Sequence, residues 1–111
     1  MQRGTNDLSC RLVFNEDHAI FKGHFPGQPV VPGVCMMDIV KELLENVTDK
    51  TLMLRSSSNV KFLRLTTPDL QPVMKISWKE TGDEYHVDAS SANDNVPAFK
   101  FTGDYVVATM L

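Results

Sequence analysis

Only two cysteines, Cys10 and Cys35, occur in 111 residues. That is too few for a disulfide scaffold, and both stand among apolar neighbours, where a buried free thiol is the commoner outcome. No apolar run approaches the ~20 residues that span a bilayer, and residues 1–8 lack the apolar core of a signal peptide. Membrane insertion is therefore not expected, and the chain reads as cytoplasmic. Basic residues are not in excess: 11 Lys and Arg face 14 Asp and Glu, a net charge of -3. This excludes the broad basic footprint of a nucleic-acid binder. Repeats, low-complexity stretches and linkers are absent too, so a single domain over residues 1–111 is expected.

What is present is ordinary for a folded protein, with 42% hydrophobic and 23% charged residues. Residues 8–14 alternate, with Cys10, Leu12 and Phe14 on one side, which predicts a strand. Residues 15–32 then hold Gly23, Pro26, Gly27, Pro29 and Pro32, too many breakers for a regular element. Loops of that length in a compact domain are usually functional. Pro32 and Gly33 open one convincing helix over residues 33–47, since proline suits a first helical turn. From Val34 to Val40 the helix is apolar on every side except at Asp38, which predicts burial of its first half.

The remainder predicts four strands. One covers residues 52–65 and a second residues 73–79, with Met74, Ile76 and Trp78 facing one way. The others centre on Tyr85, Val87 and Ala89, and on Phe99, Phe101, Tyr105 and Val107. Thr81-Gly82-Asp83 and Asn93-Asp94-Asn95 carry the chemistry of antiparallel hairpin turns. One helix against one antiparallel sheet is an α+β arrangement.

Three positions could carry chemistry. A carboxylate at Asp38, amid Met36, Met37, Ile39 and Val40, is costly to bury unless paired or protonated, and burial is how a general acid is made. The alternative is that it reaches water or bonds a backbone group. His24, held between Gly23 and Phe25-Pro26, belongs to the residue type best suited to take a proton near neutral pH. The alternative there is a plain surface histidine, which is also the reading of His18 and His86. Gly33 places a free N–H at a helix start, where the dipole favours an oxyanion, or it merely makes the turn. A base, an amide and an acid are together what β-elimination from a thioester requires. No His/Cys/Asp cluster has ligand spacing, so neither metal nor organic cofactor is indicated.

The stretch Phe21-Lys22-Gly23-His24-Phe25-Pro26-Gly27-Gln28-Pro29-Val30-Val31-Pro32-Gly33-Val34 resembles the signature of bacterial 3-hydroxyacyl-acyl-carrier-protein dehydratases. Val60-Lys61-Phe62-Leu63-Arg64 is similar to the strand that follows the family's central helix. The likeness runs loosely from Leu12 to Tyr105. It implies a hotdog fold, with the antiparallel sheet wrapped around one central helix, and a homodimer or higher homo-oligomer whose sheets join. It implies His24 as base and Asp38 as its acidic partner, contributed by opposite subunits. Gly33 would polarise the thioester carbonyl, with Phe25, Pro32 and Val34 also against the substrate. The acyl group would be borne by acyl carrier protein or coenzyme A, and the product would be a trans-2-enoyl thioester in fatty-acid or related biosynthesis.

There are departures. After the acid, Ile39-Val40-Lys41-Glu42 replaces the family's small residues and glutamine, and Thr66-Thr67-Pro68-Asp69-Leu70 lacks a glycine common in that turn. Two other readings stay open: a hotdog thioesterase that uses the helix carboxylate to activate water, and a non-catalytic hotdog subunit that binds acyl chains or a carrier protein.

Overall fold

A computed structural model describes residues 2–15 and 30–108. Six strands and one helix appear among them: β1 (Gln2–Arg3), β2 (Asp7–Arg11), α1 (Gly33–Thr48), β3 (Leu52–Phe62), β4 (Val73–Thr81), β5 (Glu84–Asn93) and β6 (Val96–Val107). The strands form one antiparallel sheet in the order β1-β2-β4-β5-β6-β3. The α+β arrangement read from the sequence is present. The strand predicted over residues 8–14 is shorter, β1 was not anticipated, and β3 stops at Phe62.

The central strands follow the period-2 rule closely. Met74, Ile76 and Trp78 of β4, Tyr85, Val87 and Ala89 of β5, and Phe99, Phe101 and Tyr105 of β6 all point to one buried face. Burying each such side chain fully contributes about 1.5–3 kcal/mol. Two-residue turns join these strands. Asp94 and Asn95 both take positive φ, 50° and 67°, as a type I′ turn requires, and Gly82 takes 62° in the other. Asn and Asp tolerate that region better than most residues, which is why this hairpin was legible.

α1 lies on the buried face through Met36, Val40 and Leu44, which are 2%, 0% and 0% exposed. Its C-terminus is tied down twice. Asp49 adopts a left-handed cap, its N–H donating to the Glu45 carbonyl at 2.9 Å. Arg3 of β1 donates through Nη2 to the Val47 carbonyl at 3.0 Å, so the short N-terminal strand satisfies an end that helices leave open.

The expectation that the first half of α1 is buried all round is overturned. Residues four and eight apart fall on one helical stripe, and a two-residue step turns about 200° around the axis. Met36 inward therefore sends Val34 and Asp38 outward, and both are exposed. No helix among the described residues is long and apolar enough to cross a membrane.

Candidate active site

Pro32 is the N-cap of α1, with φ -59° and ψ 144°, and no side chain caps this end. The Cys35 N–H turns back to the Pro32 carbonyl at 3.0 Å. The opening amides of a helix have no intrahelical acceptor, so they present positive potential to whatever lies in front of them. Gly33 lets the ring of Phe62, at the end of β3, approach closely: a Cβ would sit 2.7 Å from that ring and displace it. The ring of Phe62 in turn stacks on Phe99, with centroids 5.6 Å apart.

A recess of about 340 Å³ opens at this junction, lined by Val31, Gly33, Val34, Met36, Phe62 and Phe99 among others. A second, of about 250 Å³, is lined by Val34, Met37, Asp38, Lys41, Leu54 and Tyr105. Val34 and Met37 border both, so the two adjoin along the outward side of α1. The structure thus places Gly33 on the first recess and Asp38 on the second, with Val34 common to both and Pro32 half-buried at the helix start. His24 and Phe25 lie outside the described residues, as does His18.

Asp38 is not the buried acid expected from its apolar neighbours. In the single chain its side chain faces outward at the rim of an apolar recess. Its charge is nevertheless felt. The Tyr105 hydroxyl is pushed up to about 12, first by burial and then by the charges of Asp38 and Glu45. Burial likewise raises the Cys35 thiol, with Asp38 adding to it, and burial raises Cys10.

Phe62, Leu54 and Tyr105 were not singled out as site residues in the sequence. Tyr105 alternates inward with Phe101, and that parity was available; its nearness to Asp38 was not, because it depends on how α1 rotates over the sheet. His86 is a surface residue, as read: its Nδ1 meets Asp104 at 2.7 Å on the outer face.

Known proteins can now be set beside this geometry. A family model described as ApeI-like, ApeI dehydratase, matches residues 1–100. The chain belongs to that family. A 3-hydroxyacyl-[acyl-carrier-protein] dehydratase FabZ from Wolbachia pipientis is 38% identical over 64 residues, covering 51% of this chain and 43% of the relative. FabZ of Rickettsia typhi is 28% identical over 95 residues, covering 78% and 57%. The chain therefore spans about half the length of these curated relatives.

Among solved structures, the dehydratase heterocomplex ApeI:P from Xenorhabdus doucetiae superposes with a TM-score of 0.82 at 24% identity, over 96% of this chain and 92% of the other. A variant of the fluoroacetyl-CoA-specific thioesterase FlK gives 0.73 at 12% identity, over 97% and 89%. These likenesses establish the hotdog fold, which dehydratases and thioesterases share.

Proposed function

We propose that the protein is a hotdog dehydratase that removes water from 3-hydroxyacyl thioesters carried on acyl carrier protein or coenzyme A. The observation that carries this reading is that the Gly33 start of α1 and the outward Asp38 border two adjoining apolar recesses that share Val34 and Met37. In the proposed reaction His24 takes the α-proton and the Gly33 amide stabilises the enolate oxygen. Asp38 then gives a proton to the β-hydroxyl as its C–O bond breaks, and water leaves with a trans-2-enoyl thioester behind. An apolar recess beside a helix start suits this division, since an oxyanion is stabilised best where water is excluded.

Asp38 is open to solvent in the single chain, so the site needs a covering surface. We propose that a second copy supplies it. β3 is an edge strand exposed at ten of its eleven residues, and unpaired edges invite pairing with another chain. Phe62, Leu65 and Val34 leave apolar surface on the same side. His24 of one subunit would then work with Asp38 of the other.

The test is turnover of 3-hydroxyacyl thioesters of several lengths, following enoyl product and free thiol separately. Enoyl formation that disappears in His24→Ala supports the proposal. Free thiol without enoyl product replaces it with a thioesterase, and neither product leaves a binding subunit. Sedimentation showing a stable monomer at micromolar concentration would overturn the shared site.

A further inference from the structure

Tyr105 is 1% exposed and packs within the hydrophobic core. It stands opposite Tyr85 and Leu54 on its two neighbouring strands and meets the ring of Phe101 edge-on at 6.3 Å. A buried tyrosine hydroxyl usually finds a hydrogen-bond partner. Among the described residues no hydrogen bond holds this one. Nor is it sealed in, since among those residues only the Ser91 Oγ is both closed off and unpartnered. The sliver of Tyr105 left open therefore includes its hydroxyl, and it opens on the recess of about 250 Å³ that Asp38 also lines. The Asp38 charge reaches it, as one of those that push the Tyr105 ionisation up to about 12. The phenol thus stays a neutral donor throughout the neutral pH range. Val34, Met37 and Leu54 form much of the remaining wall, with Lys41. A ligand in this recess meets few polar groups that could orient it.

We propose that the Tyr105 hydroxyl is a further catalytic group, donating a hydrogen bond to the β-hydroxyl oxygen of a 3-hydroxyacyl thioester while Asp38 protonates it. The inference rests on the dehydratase reading and names the group that recognises the hydroxyl to be lost. Tyr105 keeps its own proton. The carbon–oxygen bond breaks, its electron pair stays with the oxygen, and Asp38 supplies the hydrogen that leaves in water. A donor aimed at an oxygen that gains charge as its bond breaks lowers the barrier, and most so where water is excluded. Tyr105 and Asp38 belong to the same chain, so they act as a pair whichever subunit supplies His24. The same donor separates ligands, because an analogue without the hydroxyl leaves it unpaired.

Tyr105→Phe removes only the oxygen. With 3-hydroxyacyl-pantetheine thioesters as substrates, it is expected to lower kcat/KM about tenfold. Binding is read by calorimetry in the His24→Ala background, where the substrate persists. There Tyr105→Phe should weaken the 3-hydroxyacyl thioester about fivefold and leave the saturated acyl thioester of equal length unchanged. Tm near neutral pH stays level or rises, since no internal bond is lost. An equal loss on the two ligands, or undiminished turnover, overturns the proposal and leaves the dehydratase reading standing. Absence of enoyl product from the unaltered chain overturns that reading, and the selective loss in binding still decides the role of Tyr105. Should neither ligand bind, both fall. A large drop in Tm at neutral pH would show the hydroxyl bonded inside the protein and would overturn the proposal too.

Discussion

β5 and β3 are both long strands of one sheet, and they meet their surroundings differently. β5 is paired on both sides, and its alternation buries Tyr85, Val87, Ala89 and Ser91. β3 pairs among the described residues only with β6, shifts register twice, and exposes Met53, Leu54, Val60 and Phe62. A strand that serves only its own core looks like β5. Beyond the buried Leu52, the apolar side chains of β3 are spent on surface that this chain does not itself cover, and α1 is split the same way between Met36-Val40-Leu44 and Val34-Asp38. The inward half holds the fold. The outward half is available for a site and a second subunit.

That division can be broken most forcefully at the outward acid. Asp38→Asn is expected to lower turnover about 10²–10⁴-fold, the worth of a general acid, with Tm unchanged because the side chain is exposed. A large fall in Tm would move Asp38 to the structural half. The inward stripe should behave in reverse. Leu44→Ala is expected to cost about 2–5 kcal/mol in denaturant unfolding. Leu65→Ser, at an outward position, is expected to stay within about 0.5 kcal/mol for the monomer while weakening dimerisation in sedimentation. Equal costs at both sites would erase the comparison.

Two pH tests are finer. Tyr105 is held neutral well above the ordinary tyrosine range, so the unfolded chain ionises it first. Its contribution to stability is whole below about pH 10 and is lost as pH rises toward about 12. Tyr105→Phe should lessen that alkaline fall in Tm. In Asp38→Asn the Tyr105 titration, read by ultraviolet absorbance, should move down, since a charge that raises it is gone; an unmoved titration would separate the two side chains. The smallest effect is expected at Asp104, which its bond to His86 holds below the ordinary carboxylate range. That contribution is present above about pH 4 and is lost as pH falls further. Asp104→Asn should therefore flatten the acid limb of Tm slightly.

Much of this was readable in the sequence for definable reasons. Alternation and turn chemistry located β4, β5 and β6, because period 2 is unambiguous where one face is buried. The start of α1 at Pro32-Gly33 was equally plain. The burial of Asp38 was misread because apolar neighbours show that a helix is covered, and not which covering comes from the same chain. β1 went unseen because two exposed residues have no pattern. Gly33 was noted for its amide, whereas the close approach of the Phe62 ring depends on β3 ending beneath the helix start, which no local signal encodes.

The two-residue turns between β4, β5 and β6 have a kinetic consequence. Neighbours along the chain become neighbours in space, so this three-strand meander closes at little entropic cost. β3 and β2 must instead find partners far away in sequence, Leu52 beside Val107 and Leu8 beside Ile76, and such pairings form slowly. In the single chain, amide hydrogens of β5 should exchange last, and those of β3 earlier, through partial openings that leave the meander intact. The seam between β6 and β3 then acts as a hinge of local unfolding for the wall carrying Phe62, and a second copy seated on β3 would hold that hinge shut.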